Sequence, residues 1–227
     1  MGARVAPSTG KAGWSLPLTA ALRLVIVMLL KIAIPLYSLL LFSAVAIKKT
    51  LVQKKIGRSP LIILRSPLTA ENYLQRLAFL FFPLWLGGMN LFAFRPGLYD
   101  KIQHLDGPPH VRSAGLVLLF ASWILFVTAL VTMRNAWRFG IDREGSAELV
   151  ERGIYRRIRH PIYASMKAAL VATLVIFPNF YFFWIGTAAF FGFSMIALME
   201  EDFLKKRLGQ KYEDYARRTG RFLPKFF

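Results

Sequence analysis

No cysteine occurs in the chain, so neither a disulfide nor a thiolate nucleophile contributes to what it does. Histidine is scarce as well, with three residues in all. Two of them, His104 and His110, fall across the membrane from His160 in the topology derived below, which argues against a shared metal site. Several catalytic signatures are missing. There is no glycine-rich phosphate loop, no dinucleotide fingerprint, no His-Glu-x-x-His zinc helix and no Gly-x-Ser-x-Gly elbow. Acidic residues are few: 12 Asp and Glu stand against 30 Lys and Arg, a formal charge of +18. No internal repeat and no second domain is evident.

What the chain has is apolar length. Of its 227 residues 56% are hydrophobic, and the mean hydropathy is +0.45. Apolar spans alternating with basic loops account for that mixture in a membrane protein. Five stretches are long enough to cross a bilayer: roughly Leu18–Ile47, Tyr73–Phe94, Val111–Trp137, Pro161–Phe177 and Phe180–Met199. The expected fold class is therefore all-α, a polytopic membrane protein of about five transmembrane helices. The last two form a hairpin, followed by a cytoplasmic helical tail. Residues 1–17, rich in Gly, Pro, Ser and Ala, read as a disordered lead-in. Residues 18–136 carry the first three helices and 137–227 the functional core. Ala44-Val45-Ala46 imitates a signal cleavage site, but the apolar segment before it is about twice an ordinary signal core, so a retained span is expected.

Basic residues orient the spans. Segments 48–72, 134–160 and 201–227 lie on one side and hold 21 Lys and Arg, against five on the other side. The positive-inside rule places the 21 in the cytoplasm, with the N-terminus outside and the C-terminus inside. Nucleic acid is a weaker explanation of the charge, because it is spread over three loops without a base-reading fold. Clusters such as Lys48-Lys49 and Lys54-Lys55 suit anionic lipid headgroups instead.

The chemistry-bearing residues gather at the ends of the last two spans. His160, Tyr163 and Lys167 are spaced to share one helix face. Pro161 suits a first helical position, and the free N–H groups behind Arg159 and His160 suit a carboxylate or phosphate. Arg156, Arg157 and Arg159 strengthen that field. Glu200 and Glu201 close the fifth span, where carboxylates are costly unless solvated or paired. From His160 to Pro178 is 18 residues and from Phe180 to Glu200 is 20, so each leg rises roughly 27–30 Å. A tight turn at Pro178-Asn179 returns Glu200 to the face that carries His160. A cationic helix start opposite two carboxylates is a receptor for a zwitterion.

The run Leu149-Val150, Gly153, Tyr155, Arg159-His160-Pro161 and Tyr163, followed by Glu200-Glu201, Leu204, Gly209, Tyr212, Tyr215, Arg221 and Pro224, resembles the isoprenylcysteine carboxyl methyltransferase and phospholipid methyltransferase superfamily of integral membrane enzymes. The resemblance covers about residues 137–224. It implies an S-adenosylmethionine pocket open to the cytoplasm and a lipophilic acceptor, a lipid or small molecule, arriving from the bilayer. By the same resemblance Ala147, Glu148, Leu149, Val150, Tyr155, Arg159, His160, Pro161, Ile162 and Tyr163 line the cofactor, and Glu200 meets its amino group. Carboxyl methyltransferases of the superfamily carry an arginine four residues before the first glutamate. Ile196 stands there in this chain, which shifts the expectation toward an amine-bearing lipid or another small lipophile.

Glu200, Glu201 and Lys167 are the candidate catalytic residues. Lys167 either replaces the missing positive charge or snorkels to the interface. An amine, hydroxyl or thiol acceptor must lose a proton, to Glu201 or a tyrosine, whereas a carboxylate needs no base. Two other readings are open: a sterol-type reductase using NADPH, and a non-catalytic relative that keeps the fold. Glu201, Leu204, Leu208 and Tyr212 lie on one face of a continued fifth helix that Gly209 loosens near its midpoint. Tyr215, Phe222 and Pro224 are expected to fold back over the pocket.

Overall fold

The computed structural model describes residues 18–57, 59–61, 70–101, 109–138 and 149–225. The expectations for residues 1–17 and for Ala147 and Glu148 lie outside these. The described residues contain no β-strand. Seven α-helices follow in order: α1 (Leu18–Ile56), α2 (Ala70–Phe94), α3 (Pro96–Lys101), α4 (Pro109–Met133), α5 (Pro161–Ile176), α6 (Phe180–Leu208) and α7 (Gln210–Arg218).

Four of these, α1, α2, α4 and α6, are long and apolar enough to cross a membrane, while α5 has 16 residues and is shorter. The protein is an integral, multi-pass membrane protein. A belt of large apolar side chains faces outward, including Met28, Ile32, Leu39, Val117 and Trp184. An exposed apolar surface of that extent belongs in lipid. Helix ends differ from the expected spans. The first helix runs on to Ile56, and α4 stops at Met133, where a 3-10 turn at Arg134–Ala136 takes over.

Within the bundle, apolar packing alone gives little drive to associate, since lipid tails are as apolar as leucine. Hydrogen bonds between helices supplement it. The Trp85 indole donates to the Thr173 hydroxyl at 3.1 Å, joining α2 to α5. The Asn90 amide donates to Ser38 at 2.9 Å, joining α2 to α1. Around them Tyr37, Met89, Leu119, Ile176 and Phe182 form one buried core.

α5 and α6 form the expected hairpin. Asn179 caps α6, its side-chain oxygen accepting the Phe182 N–H at 2.9 Å. Contacts across the hairpin run antiparallel: His160 meets Glu201, Tyr163 meets Glu200, and Lys167 meets Ser194. The tail corrects one expectation. The helix does not continue through Gly209 but breaks there, because Gly209 takes φ +54° and ψ −130°, a conformation open to glycine and strained for other residues. α7 starts afresh and turns back toward the hairpin.

Candidate active site at the open end of the hairpin

Three segments converge where the hairpin opens: the approach to α5, the last membrane turns of α6, and the chain after α7. Backbone hydrogen bonds stitch the first to the third. Gly220 N–H donates to Arg157 C=O at 3.0 Å, Arg159 N–H to Gly220 C=O at 2.8 Å, and His160 N–H to Arg221 C=O at 3.0 Å. The same register makes an isolated parallel bridge between Ile158 and Gly220. Only glycine fits there, since a Cβ on Gly220 would lie 1.7 Å from the Leu223 carbonyl oxygen. Tyr215 adds a further tie, its hydroxyl donating to the Tyr155 carbonyl at 2.8 Å.

Glu201 sits inside that stitching. Its Oε1 accepts from Arg159 Nε at 2.9 Å, His160 Nε2 at 3.1 Å and Arg221 Nε at 3.0 Å, and its Oε2 accepts from Arg221 at 2.8 Å. A carboxylate engaged by two guanidinium groups and an imidazole holds its negative charge tightly. The expected part of Glu201 as proton acceptor does not match these surroundings; its geometry is that of a tie. Arg159, expected at the cofactor, is also turned into the protein, donating further to the carbonyls of Ala216 at 2.9 Å and Thr219 at 2.5 Å.

Glu200, one residue earlier, is held more loosely. Its Oε1 accepts the Tyr163 hydroxyl at 2.5 Å and its Oε2 faces His160 Nδ1 at 3.5 Å. Its side chain is 28% exposed, against 13% for Glu201, so Glu200 keeps acceptor capacity toward the outside. His160 thus stands between two carboxylates. Burial, the largest single influence, disfavours its charged form, yet its hydrogen bonds to Glu200 and Glu201 and their charges outweigh this and raise its pKa above 6.5. The Arg221 guanidinium is likewise raised, by its hydrogen bonds to Glu201.

Aromatic rings wall the site. The Tyr163 ring stacks between His160, 5.6 Å away, and Phe193, 5.8 Å away. The Phe222 ring lies 6.2 Å from His160. Val150 and Tyr155 are buried together against Ala129, with Ile162 packed on them; Pro161 is buried, and Leu149 is partly covered. Tyr212 is buried and its hydroxyl has no hydrogen-bond partner among the described residues. It lines, with Glu201 and Leu198, an open groove between α6 and α7. Ile196 is buried.

Lys167 lies farther in. Its ammonium donates to Ser194 at 2.5 Å and stands 3.6 Å from the centre of the Phe222 ring and 4.2 Å from that of Phe190. It is 6% exposed, so it does not snorkel to water. Two residues of this constellation, Phe190 and Ser194, had no part in the reading of the site from sequence. Arg221 stood in the run that carries the resemblance, but its pairing with Glu201 across 20 positions of chain has no periodic signal. Phe190 and Ser194 belong to an apolar run. The available signal was that Ser194 is the one hydroxyl residue between Thr187 and Glu200.

The sequence model of the family described as phospholipid methyltransferase matches residues 111–211. A probable protein-S-isoprenylcysteine O-methyltransferase of Oryza sativa subsp. indica is 31% identical over 121 residues, 50% of this chain and 61% of that protein. Protein-S-isoprenylcysteine O-methyltransferase B of Arabidopsis thaliana is 30% identical over 121 residues, 50% of this chain and 59% of that one. The match therefore spans about three fifths of these relatives' own length. Methyltransferase names on both sides do not favour the reductase reading. Through residues 111–211, which include the hairpin and both Glu200 and Glu201, the chain is similar to the phospholipid methyltransferase family and to these isoprenylcysteine O-methyltransferases.

Proposed function

We propose that the chain transfers a methyl group from S-adenosylmethionine to a lipophilic acceptor, at the cytoplasmic face of the membrane. The observation that carries this reading is the contrast within one dipeptide: Glu201 is saturated by Arg159, His160 and Arg221, while Glu200 keeps free acceptor capacity beside Tyr163. A partly open carboxylate in an aromatic wall suits a ligand carrying an ammonium and a sulfonium, since ring faces also attract cations. The unpartnered Tyr212 hydroxyl suits a polar ligand atom as well. The residues present therefore fit the group.

When bound, the methyl donor supplies an activated methyl on a sulfonium that becomes a neutral thioether. The protein's work is to orient and to exclude water. Glu200 receives the ammonium, and Tyr163 and His160 fix the rotamer of Glu200. Arg159, Glu201 and Arg221 hold the tail against the start of α5, which keeps Phe222 over the site. Ala147 and Glu148 are proposed to complete the cofactor wall. The face follows from the loop charges.

Calorimetry with S-adenosylhomocysteine on the full chain in nanodiscs tests this. Binding is expected, weakened at least tenfold in Glu200→Gln and unchanged within twofold in Lys205→Gln, an exposed control. Membranes incubated with methyl-labelled donor should then carry label into the lipid extract. Binding without label in any lipid or protein fraction would identify a non-catalytic relative, and absence of binding at millimolar ligand would end the reading.

A further inference from the structure

α1 is longer than a bilayer is thick: its 39 residues rise roughly 58 Å, against about 30 Å of hydrocarbon core. The face that packs into the bundle through Ile34, Tyr37 and Leu41 runs on past the core. From Leu41 it continues with Lys48, Val52 and Lys55, at steps of seven, four and three. Val52 is buried and Lys48 half-buried, so the helix face that makes the core turns cationic at its end without leaving the protein. A third cation reaches it from far along the chain. α1 packs there against the turn Arg134–Ala136. Arg152 donates through Nε to the Thr132 carbonyl at 3.0 Å, at the end of α4, and Gly153 lies so close behind that a Cβ on it would stand 2.9 Å from the Thr132 methyl. The charges of Arg152 and Lys55 both act on Lys48. Among the described residues no carboxylate pairs with any of the three, and Glu151, beside Arg152, is taken by Arg218. Like charges gathered in this way repel until an anion joins them. On the flank of the same helix, about 60° and 100° round from Lys48, Leu51 and Ile47 are exposed, and Leu36 continues that stripe three turns deeper.

We infer that Lys48, Lys55 and Arg152 form one binding site for an anionic phospholipid, its phosphate held between α1 and the end of α4 and its acyl chains lying along Leu51, Ile47 and Leu36. The lipid belongs to the leaflet on the side of the hairpin's open end, and the inference does not depend on the methyltransferase reading. A net negative head supplies the charge that the cluster lacks. A free phosphate would meet that charge and leave the apolar flank unused, whereas a lipid meets both. The pairs adjacent in sequence, Lys48-Lys49 and Lys54-Lys55, are not the unit of the site. Lys49 and Lys54 each lie about 100° round the helix from their neighbours, while Lys48 and Lys55 share a face with Val52. A lipid held there also ties down the approach to α5. Arg152 immediately precedes the turn Gly153–Arg156, whose Tyr155 carbonyl accepts the Tyr215 hydroxyl.

The test titrates the full-length protein, in neutral detergent without a methyl donor, with dioleoylphosphatidylglycerol or dioleoylphosphatidylcholine, read by native mass spectrometry. One phosphatidylglycerol should be retained, at least about tenfold more tightly than phosphatidylcholine. Lys48→Gln and Arg152→Gln should each weaken its retention about fivefold, the scale of one basic residue against an anionic headgroup, while Lys49→Gln stays within about twofold. Equal retention of the two lipids overturns the inference. So does an equal loss in all three variants, which would mean a diffuse basic surface and no single site. Displacement of the lipid by millimolar inorganic phosphate, or by a short RNA, would assign the cluster to a soluble anion or to nucleic acid and overturn it as well. The wild-type comparison of the two lipids decides even if a variant fails to fold.

Discussion

The two ends of the α5–α6 hairpin are held by different physics. At the closed end rings do the work: Phe92, Phe177 and Phe182 lie with their centres 5.6 to 6.1 Å apart, around the cap of Asn179. At the open end charges do it, with Arg159, His160 and Arg221 converging on Glu201. Packed rings tolerate small changes, since dispersion is shared over many contacts. A cluster of buried charges does not, because each partner lost leaves another unmatched. The closed end can be read as structure alone. The open end holds together a costly construction in which one carboxylate, Glu200, is kept partly free, and that is why the proposed site is placed there.

Breaking the open end should therefore produce the largest effect. Glu201→Gln removes the carboxylate on which Arg159, His160 and Arg221 converge. With Arg159 and Glu201 only 11% and 13% exposed, the loss should reach about 3–5 kcal/mol, the scale for orphaning a buried charge. Thermal unfolding in nanodiscs measures it, and limited proteolysis should now cut near Arg217 and Arg218 as the tail undocks. Glu200→Gln sharpens the comparison. It should shift unfolding far less while weakening S-adenosylhomocysteine binding at least tenfold, about 1.4 kcal/mol. Equal stability losses in the two variants would abolish the distinction between tie and receptor.

The next effect is smaller and depends on pH. His160 has its pKa raised above 6.5, so the folded protein holds that proton more tightly than the unfolded chain does. Its contribution to stability is fully present below pH 6.5 and fades as pH rises through the raised value. Unfolding midpoints of wild type and His160→Gln, compared from pH 5.5 to 8.5, should converge toward the alkaline side. The gap should stay constant if the imidazole is neutral throughout. Among the described residues the facing groups are Glu200, Glu201 and Arg159, with the rings of Tyr163 and Phe222, and none of them is a histidine.

How far this was legible in the sequence differs between the ends as well. The hairpin could be read from length, because 18 and 20 residues on either side of Pro178-Asn179 bring His160 and Glu200 level. The face shared by His160, Tyr163 and Lys167 followed from helical spacing. What could not be read was the division of labour between Glu200 and Glu201. It depends on where Arg221 arrives, and that is set by the bridge of Gly220 to Ile158 across a long stretch of chain. The break at Gly209 was missed because an apolar repeat across it, Leu204, Leu208 and Tyr212, imitates one continuous helix. The surroundings of Lys167 were invisible for a similar reason. Its partners Phe190 and Ser194 sit in an apolar run with no motif, and only the antiparallel register places them opposite.

The smallest effect belongs to the closed end and tests whether it is structure alone. Asn179→Ala removes the side-chain acceptor for the Phe182 N–H at the first turn of α6. Loss of such a cap costs about 1 kcal/mol, which in a protein of this size lowers the unfolding midpoint by about 2–4 °C. The neighbouring rings of Phe177 and Phe182, 5.7 Å apart, should keep the turn in place, so the helices should not slide. Without sliding, the pairing of Tyr163 with Glu200 some 20 residues away is untouched, and S-adenosylhomocysteine affinity should remain within twofold of wild type. A tenfold loss of affinity from this one substitution would mean that the closed end sets the register of the site, and the two ends could no longer be treated as separate devices.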